Sequence, residues 1–149
     1  MMAYYNNDAS SSLRWPTPGV MDVPSYQVSA LPWVTSSIAT TSALQVNFPS
    51  VTRWVEVRNM GNNNLRIGFT ANGVTANPAN QAHYFVLSGS SAAQPSAATA
   101  RWELRCSRMY FAAEAGTASF SLAAGITGIP ERYLNDMSGS LGGVYGGVG

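Results

Sequence analysis

From Val34 onward, apolar and polar residues alternate along much of the chain. Leu44, Val46 and Phe48 alternate with Gln45 and Asn47, and Val51, Val55 and Val57 share a face against Trp54, Glu56 and Arg58. Leu65, Ile67 and Phe69 follow, then Tyr84 and Val86 opposite Phe85 and Leu87. Trp102, Leu104 and Cys106 oppose Arg101, Glu103 and Arg105; after Ser107 and Arg108 the apolar phase shifts to Met109 and Phe111. Phe120, Leu122 and Ala124 then alternate with Ser119, Ser121 and Ala123. A period of two marks a half-buried strand. No segment of useful length carries a helical period.

The punctuation fits strands. Pro49–Ser50 ends one; Asn59–Asn64, with Gly61 and asparagines suited to positive φ, predicts a hairpin turn into the Leu65 strand. Ala71–Asn80 and Gly89–Thr99 read as loops, and the second lacks the aromatic, acidic or histidine content of a binding loop. Residues 101–129 read as two or three consecutive strands of one antiparallel sheet, with a bulge or corner near Ser107 and a turn at Gly116–Thr117. Seven or eight short strands spaced by roughly 8–16 residues predict a β-sandwich or barrel, and eight in two Greek keys make a jelly roll.

The ends differ. In residues 1–33, Tyr4, Tyr5, Trp15, Tyr26 and Trp33 follow no period, and Pro16, Pro18, Pro24 and Pro32 forbid a long helix. This stretch reads as an extended arm with aromatic anchors, residues 34–130 as one domain, and 131–149 as a Gly-rich tail opening on a short helical turn in 131–137.

Composition sharpens the picture through charge. Only 10% of the 149 residues are charged, against about 25% in ordinary soluble domains, and all eight basic residues are arginine. Arginine favours buried or shared ion pairs. So sparse a charged surface predicts coverage by protein partners, although Ser, Thr and Asn also supply solubility. A net charge of +1 argues against direct nucleic-acid binding. No apolar run reaches the roughly 20 residues of a membrane-spanning helix, and residues 1–12 have no secretory-signal pattern. Cys106 is the only cysteine, read as a small core residue of a chain that folds in a reducing compartment.

Candidate chemistry is thin. His83 is the only histidine and reads as a polar residue at a strand start. Of seven carboxylates, Glu56 and Glu103 fall within predicted strands with Arg nearby, which disfavours a protonated catalytic acid. There is no Gly-x-Ser-x-Gly elbow, Walker lysine or Asn-x-Ser/Thr sequon. No catalytic, cofactor-binding or metal-binding residue is therefore assigned. Trp54, beside Arg53 and Arg58, is a candidate interface anchor or a sugar-stacking platform. Arg101, Arg105 and Arg108 cluster around Glu103 and are candidates for cross-strand or intersubunit pairing, Glu103 with Arg101 or Arg105 foremost.

Four segments in order, VTRWVEVRNMGNNNLRIGFTANGV (Val51–Val74), HYFVLSGSS (His83–Ser91), RWELRCSRMYFAA (Arg101–Ala113) and SFSLAAGITGIP (Ser119–Pro130), resemble the penton proteins of nucleocytoplasmic large DNA viruses, the phycodnavirus kind in particular. They lie within residues 51–130, about half the chain, and exclude the arm and tail. The resemblance implies a single jelly roll of two four-stranded sheets, made in the host cytoplasm. Five copies form the pentamer closing each fivefold vertex of an icosahedral virion, beside a double-jelly-roll major capsid protein and minor capsid proteins. It transfers no catalytic residue or cofactor. The competing expectation is a receptor- or glycan-binding β-sandwich, a spike head or carbohydrate-binding module; an enzyme subunit whose site a partner completes is a third.

Overall fold

The computed structural model describes residues 30–75, 82–90 and 99–134. The strands are β1 (Leu31–Ala39), β2 (Leu44–Asn47), β3 (Thr52–Asn59), β4 (Leu65–Gly68), β5 (Tyr84–Leu87), β6 (Thr99–Trp102), β7 (Arg108–Ala113) and β8 (Ala118–Ile126). A short helix, α1 (Ala71–Thr75), and a 3-10 turn at Glu131–Tyr133 accompany them. Two antiparallel four-stranded sheets result, ordered β1-β8-β3-β6 and β2-β7-β4-β5. β1 pairs with β8, β2 with β7, β3 with β6 and β4 with β5, so each partner completes the number nine. The β3·β8 and β4·β7 ladders complete the sheets.

Two expectations are corrected by this order. The run 101–129 is not one sheet: β6 and β8 belong to the first and β7 to the second. The asparagine-rich turn does not close a hairpin either, because β3 and β4 lie in different sheets. Both sheets bury one face in the same core, so alternation looks the same whichever sheet a strand joins. The phase change near Ser107 is the corner where residues 103–107 cross between sheets.

Within the sandwich, Val55, Val57, Phe120 and Leu122 of the first sheet join Leu65, Ile67, Met109 and Phe111 of the second in one core. Three aromatic pairs link elements of the two layers. Phe111 and Phe120 stack with centroids 4.4 Å apart; Trp33 meets Phe48, just past β2, edge-to-face at 5.1 Å, and Phe85 meets Trp102 at 5.5 Å. Trp33 thus belongs to the sandwich and not to an arm ending at residue 33, since β1 begins at Leu31. Pro32 fits there because β1 is an edge strand.

The corners are tied by buried polar side chains. Thr52 Oγ1 accepts the Cys106 N–H at 3.1 Å and lies 2.9 Å from the Leu104 carbonyl, to which it donates. Asn59, fully buried, donates from Nδ2 to the carbonyls of Asn63 and Leu87 and accepts the Gly61 N–H on Oδ1. Asn63 donates to the Thr117 carbonyl; Asn64 accepts the Gly89 N–H and donates to Glu114. The asparagines therefore act through their side chains, knitting three loops at one end of the sandwich. Gly61 does not adopt positive φ; it is glycine because a Cβ would stand 2.9 Å from the Ser119 nitrogen. Positive φ occurs instead at Gly116, 59°, in the turn before β8.

The loop expected over 71–80 opens as α1, whose Gly73 N–H bonds to Thr70 Oγ1 at 3.0 Å as in a helix cap. The helical turn expected in 131–137 is present as the 3-10 turn; its remainder, the arm before Ala30 and the tail after Leu134 lie outside the described residues. Asn59→Ala leaves two carbonyls and an N–H without this partner. It is expected to lower stability by about 1–3 kcal/mol in urea unfolding, whereas exposed Asn62→Ala stays within about 0.5 kcal/mol.

Candidate interaction surface

The outer face of the first sheet is set by the outward residues of four strands. A register irregularity between Thr52 and Trp54 leaves Arg53 unmatched and places Trp54 opposite Gly125. Only glycine is compatible with that placement: a Cβ on residue 125 would collide with Trp54 Nε1 and stand 2.6 Å from the Ala30 methyl carbon. The indole thus occupies the space a side chain at residue 125 would take.

Arg101 is the centre of the charged part. The β3·β6 ladder sets it opposite Glu56, and its guanidinium lies over the Trp54 ring, 4.5 Å from the centroid. One terminal nitrogen is 3.9 Å from Glu56 Oε2, and the other bonds to Glu103 Oε1 at 3.2 Å. All three ionic side chains are about half exposed. Each such pair contributes about 0–1 kcal/mol in water, and the stacking about 0.5–1 kcal/mol. The cluster is a partly wet aromatic and ionic patch. With a cation over the indole, a sugar would have to displace Arg101 before stacking there.

Of the sequence-predicted residues, Trp54, Arg101 and Glu103 are brought together within one chain. Arg105 lies beside them, lining with Arg53, Glu103 and Leu104 an open depression of about 340 Å³. Arg108 is not part of the group: it begins β7, opposite Asn47, in the other sheet. The crossing at 103–107 separates it from Arg105 although three positions part them in sequence.

Other candidates fall elsewhere. The His83 N–H bonds to the Gly73 carbonyl, and its ring Nδ1 is buried without a partner. Arg66 lies over Tyr84 at 4.7 Å and 3.8 Å from Glu114. Among the described residues no three His, Cys, Asp or Glu side chains converge as metal ligands, and no helix is long and apolar enough to cross a membrane. Sequence reasoning missed Thr52 and Gly125, whose roles depend on contacts with distant segments. No family model, curated protein or solved structure matches the chain.

Cys106 is buried behind this surface, 2% exposed, with its sulfur 3.4 Å from Thr52 Oγ1. Desolvation by burial pushes its thiol from 9.0 up to about 11, against smaller opposing hydrogen bonds from Thr52 and the Arg108 backbone. The folded chain therefore holds a proton that the unfolded chain releases between those values. The resulting stability is complete below pH 9 and is lost as pH rises to 11. Across that window Cys106→Ala is expected to lose less stability than the parent chain, read by thermal melts at each pH. A maleimide is expected to label the parent only under unfolding conditions.

Proposed function

We propose that this chain is a single jelly-roll capsid subunit, five copies of which form the penton at the fivefold vertices of a large icosahedral double-stranded DNA virus. The observation that carries the reading is the ordered set of four penton-like segments. Their described parts fall on β3 through α1, β5, β6 with β7, and β8. The fold supports it: a long antiparallel hairpin of four strand pairs, rolled up, gives the partners that sum to nine and the orders 1-8-3-6 and 2-7-4-5. Fold alone would not carry a function.

A fivefold ring needs a head-to-tail contact between two different surfaces. In this reading one of them is the patch of Trp54, Arg101 and Glu103 with Arg105 beside it, where Trp and Arg are the residue types that dominate protein contacts. Arg108 stands apart from this patch, at the start of β7 in the other sheet. The partners in this reading are neighbouring copies, the double-jelly-roll major capsid protein and minor capsid proteins; the arm and tail expected to reach them lie, before Ala30 and after Leu134, outside the described residues. The product is then a virion vertex, with no enzymatic activity, cofactor, direct nucleic-acid contact or membrane insertion.

Native mass spectrometry and negative-stain imaging of the full chain test this. Five-membered rings are expected, and Arg101→Ala is expected to weaken them severalfold in dissociation constant with little change in the melting of the subunit. A protein that stays monomeric at every concentration reached, or forms only twofold dimers, would overturn the reading.

A further inference from the structure

The large apolar side chains left exposed are not scattered over the sandwich. Among the described residues there are seven, and five of them lie on two strands: Leu31, Val34 and Ile38 on β1, and Phe85 and Val86 on β5. Both strands are edges of the described sheets. Phe85 meets Trp102, so β5 lies over β6, and β6 and β1 are the two outer strands of the first sheet. The two apolar edges therefore stand on opposite sides of the molecule, three strand spacings or about 14 Å apart. Neither strand contains a charged residue. Exposed edges are normally guarded by charge, shortness or a bulge. β5 is short, but β1 runs for nine residues with Pro32 as its one such device.

The two edges are complementary in form. On β1, Val34 and Ile38 sit opposite the small residues Ala123 and Ser119 and are 74% and 62% exposed, so they stand up as an aliphatic ridge. On β5, Phe85 is paired with the buried Ile67 and so faces inward, yet it is 52% exposed. The sandwich is open at this side, and Phe85 and Trp102 form an aromatic rim with Val86 beside it. The rim is continuous with the ionic patch, because Trp102 follows Arg101 along β6. An apolar centre with a charged border, anchored by aromatic residues and arginine, is the usual anatomy of a protein contact. Symmetry then selects the partner. A twofold contact of β1 with the β1 of a second copy would leave the Phe85 rim in water. A head-to-tail contact covers both edges with one kind of interface, and its repetition gives a ring or a filament.

We propose that the β1 edge of one copy, through Leu31, Val34 and Ile38, seats against the β5–β6 rim of the next copy, through Phe85, Val86 and Trp102. The inference rests on the pentamer reading for closure of the ring, and it names the second of the two surfaces that a head-to-tail ring requires.

Native mass spectrometry of the full chain tests it with two variants, one carrying Val34→Glu and Ile38→Glu together and the other Phe85→Glu. Each alone is expected to raise the dissociation constant of the assembly severalfold while the subunit melts as the parent does. If Phe85→Glu lowers the melting of the subunit, Val86→Glu takes its place. Mixed in equal amounts, the two variants retain one intact pair of edges: β1 of the rim variant and the rim of the β1 variant. They are expected to form one-to-one heterodimers that grow no further. A rim variant that still dimerises with itself would point to β1 meeting β1 and overturns the proposal. Rings formed by both variants as readily as by the parent overturn the proposal and leave the pentamer reading standing. Parent filaments in place of rings, lost in both variants, support the proposal and overturn the pentamer reading. A parent that stays monomeric overturns both.

Discussion

Every connection in this sandwich except that between β4 and β5 carries the chain from one sheet to the other. At each crossing the ladder is interrupted, and the freed backbone groups need other partners near the core boundary. Short polar side chains provide them. Thr52 holds the 103–107 corner, Asn59 and Asn64 hold the loops after β3, β5 and β7, and Thr127 bonds to the Val51 carbonyl at 2.7 Å. Neutral Asn and Thr satisfy carbonyls and amides at these corners without the desolvation cost of an ion.

Where charge is used, it is concentrated. Arg101 touches Trp54, Glu56 and Glu103, and Arg66 touches Tyr84 and Glu114. Each planar guanidinium combines a ring and carboxylates, an arrangement a lysine ammonium would hold less firmly. The outer face of the first sheet consequently has two halves: an aromatic and ionic ridge along β3 and β6, and a bare row of small residues along β8.

The strands were legible because alternation survives single-sequence reading. Phe120, Leu122 and Ala124 are buried as their spacing predicts, and so are Val55 and Val57. Sheet membership was not legible, since inward residues of either sheet meet the same core. The pairing of Glu103 with Arg101 could be read from proximity; that of Glu56 with the same Arg101 could not, because the two are 45 positions apart and meet only through the β3·β6 ladder. Gly125 beneath Trp54 could not, because the two are 71 positions apart. Asn59–Asn64 was read as backbone chemistry, whereas its asparagines work through side-chain amides, a role that depends on Leu87, Gly89 and Thr117 being nearby.

The sum-to-nine pairing also bears on biosynthesis. Of the described strands β1 leaves the ribosome first, and its one ladder partner among them is β8, which ends at Ile126. At about 5–20 residues per second, β1 waits several seconds for that partner. During this interval its Leu31, Val34 and Ile38 have no sheet to join. Among the described ladders β4·β5 is the first whose two strands are both synthesised, and the β1·β8 and β3·β8 ladders are the last.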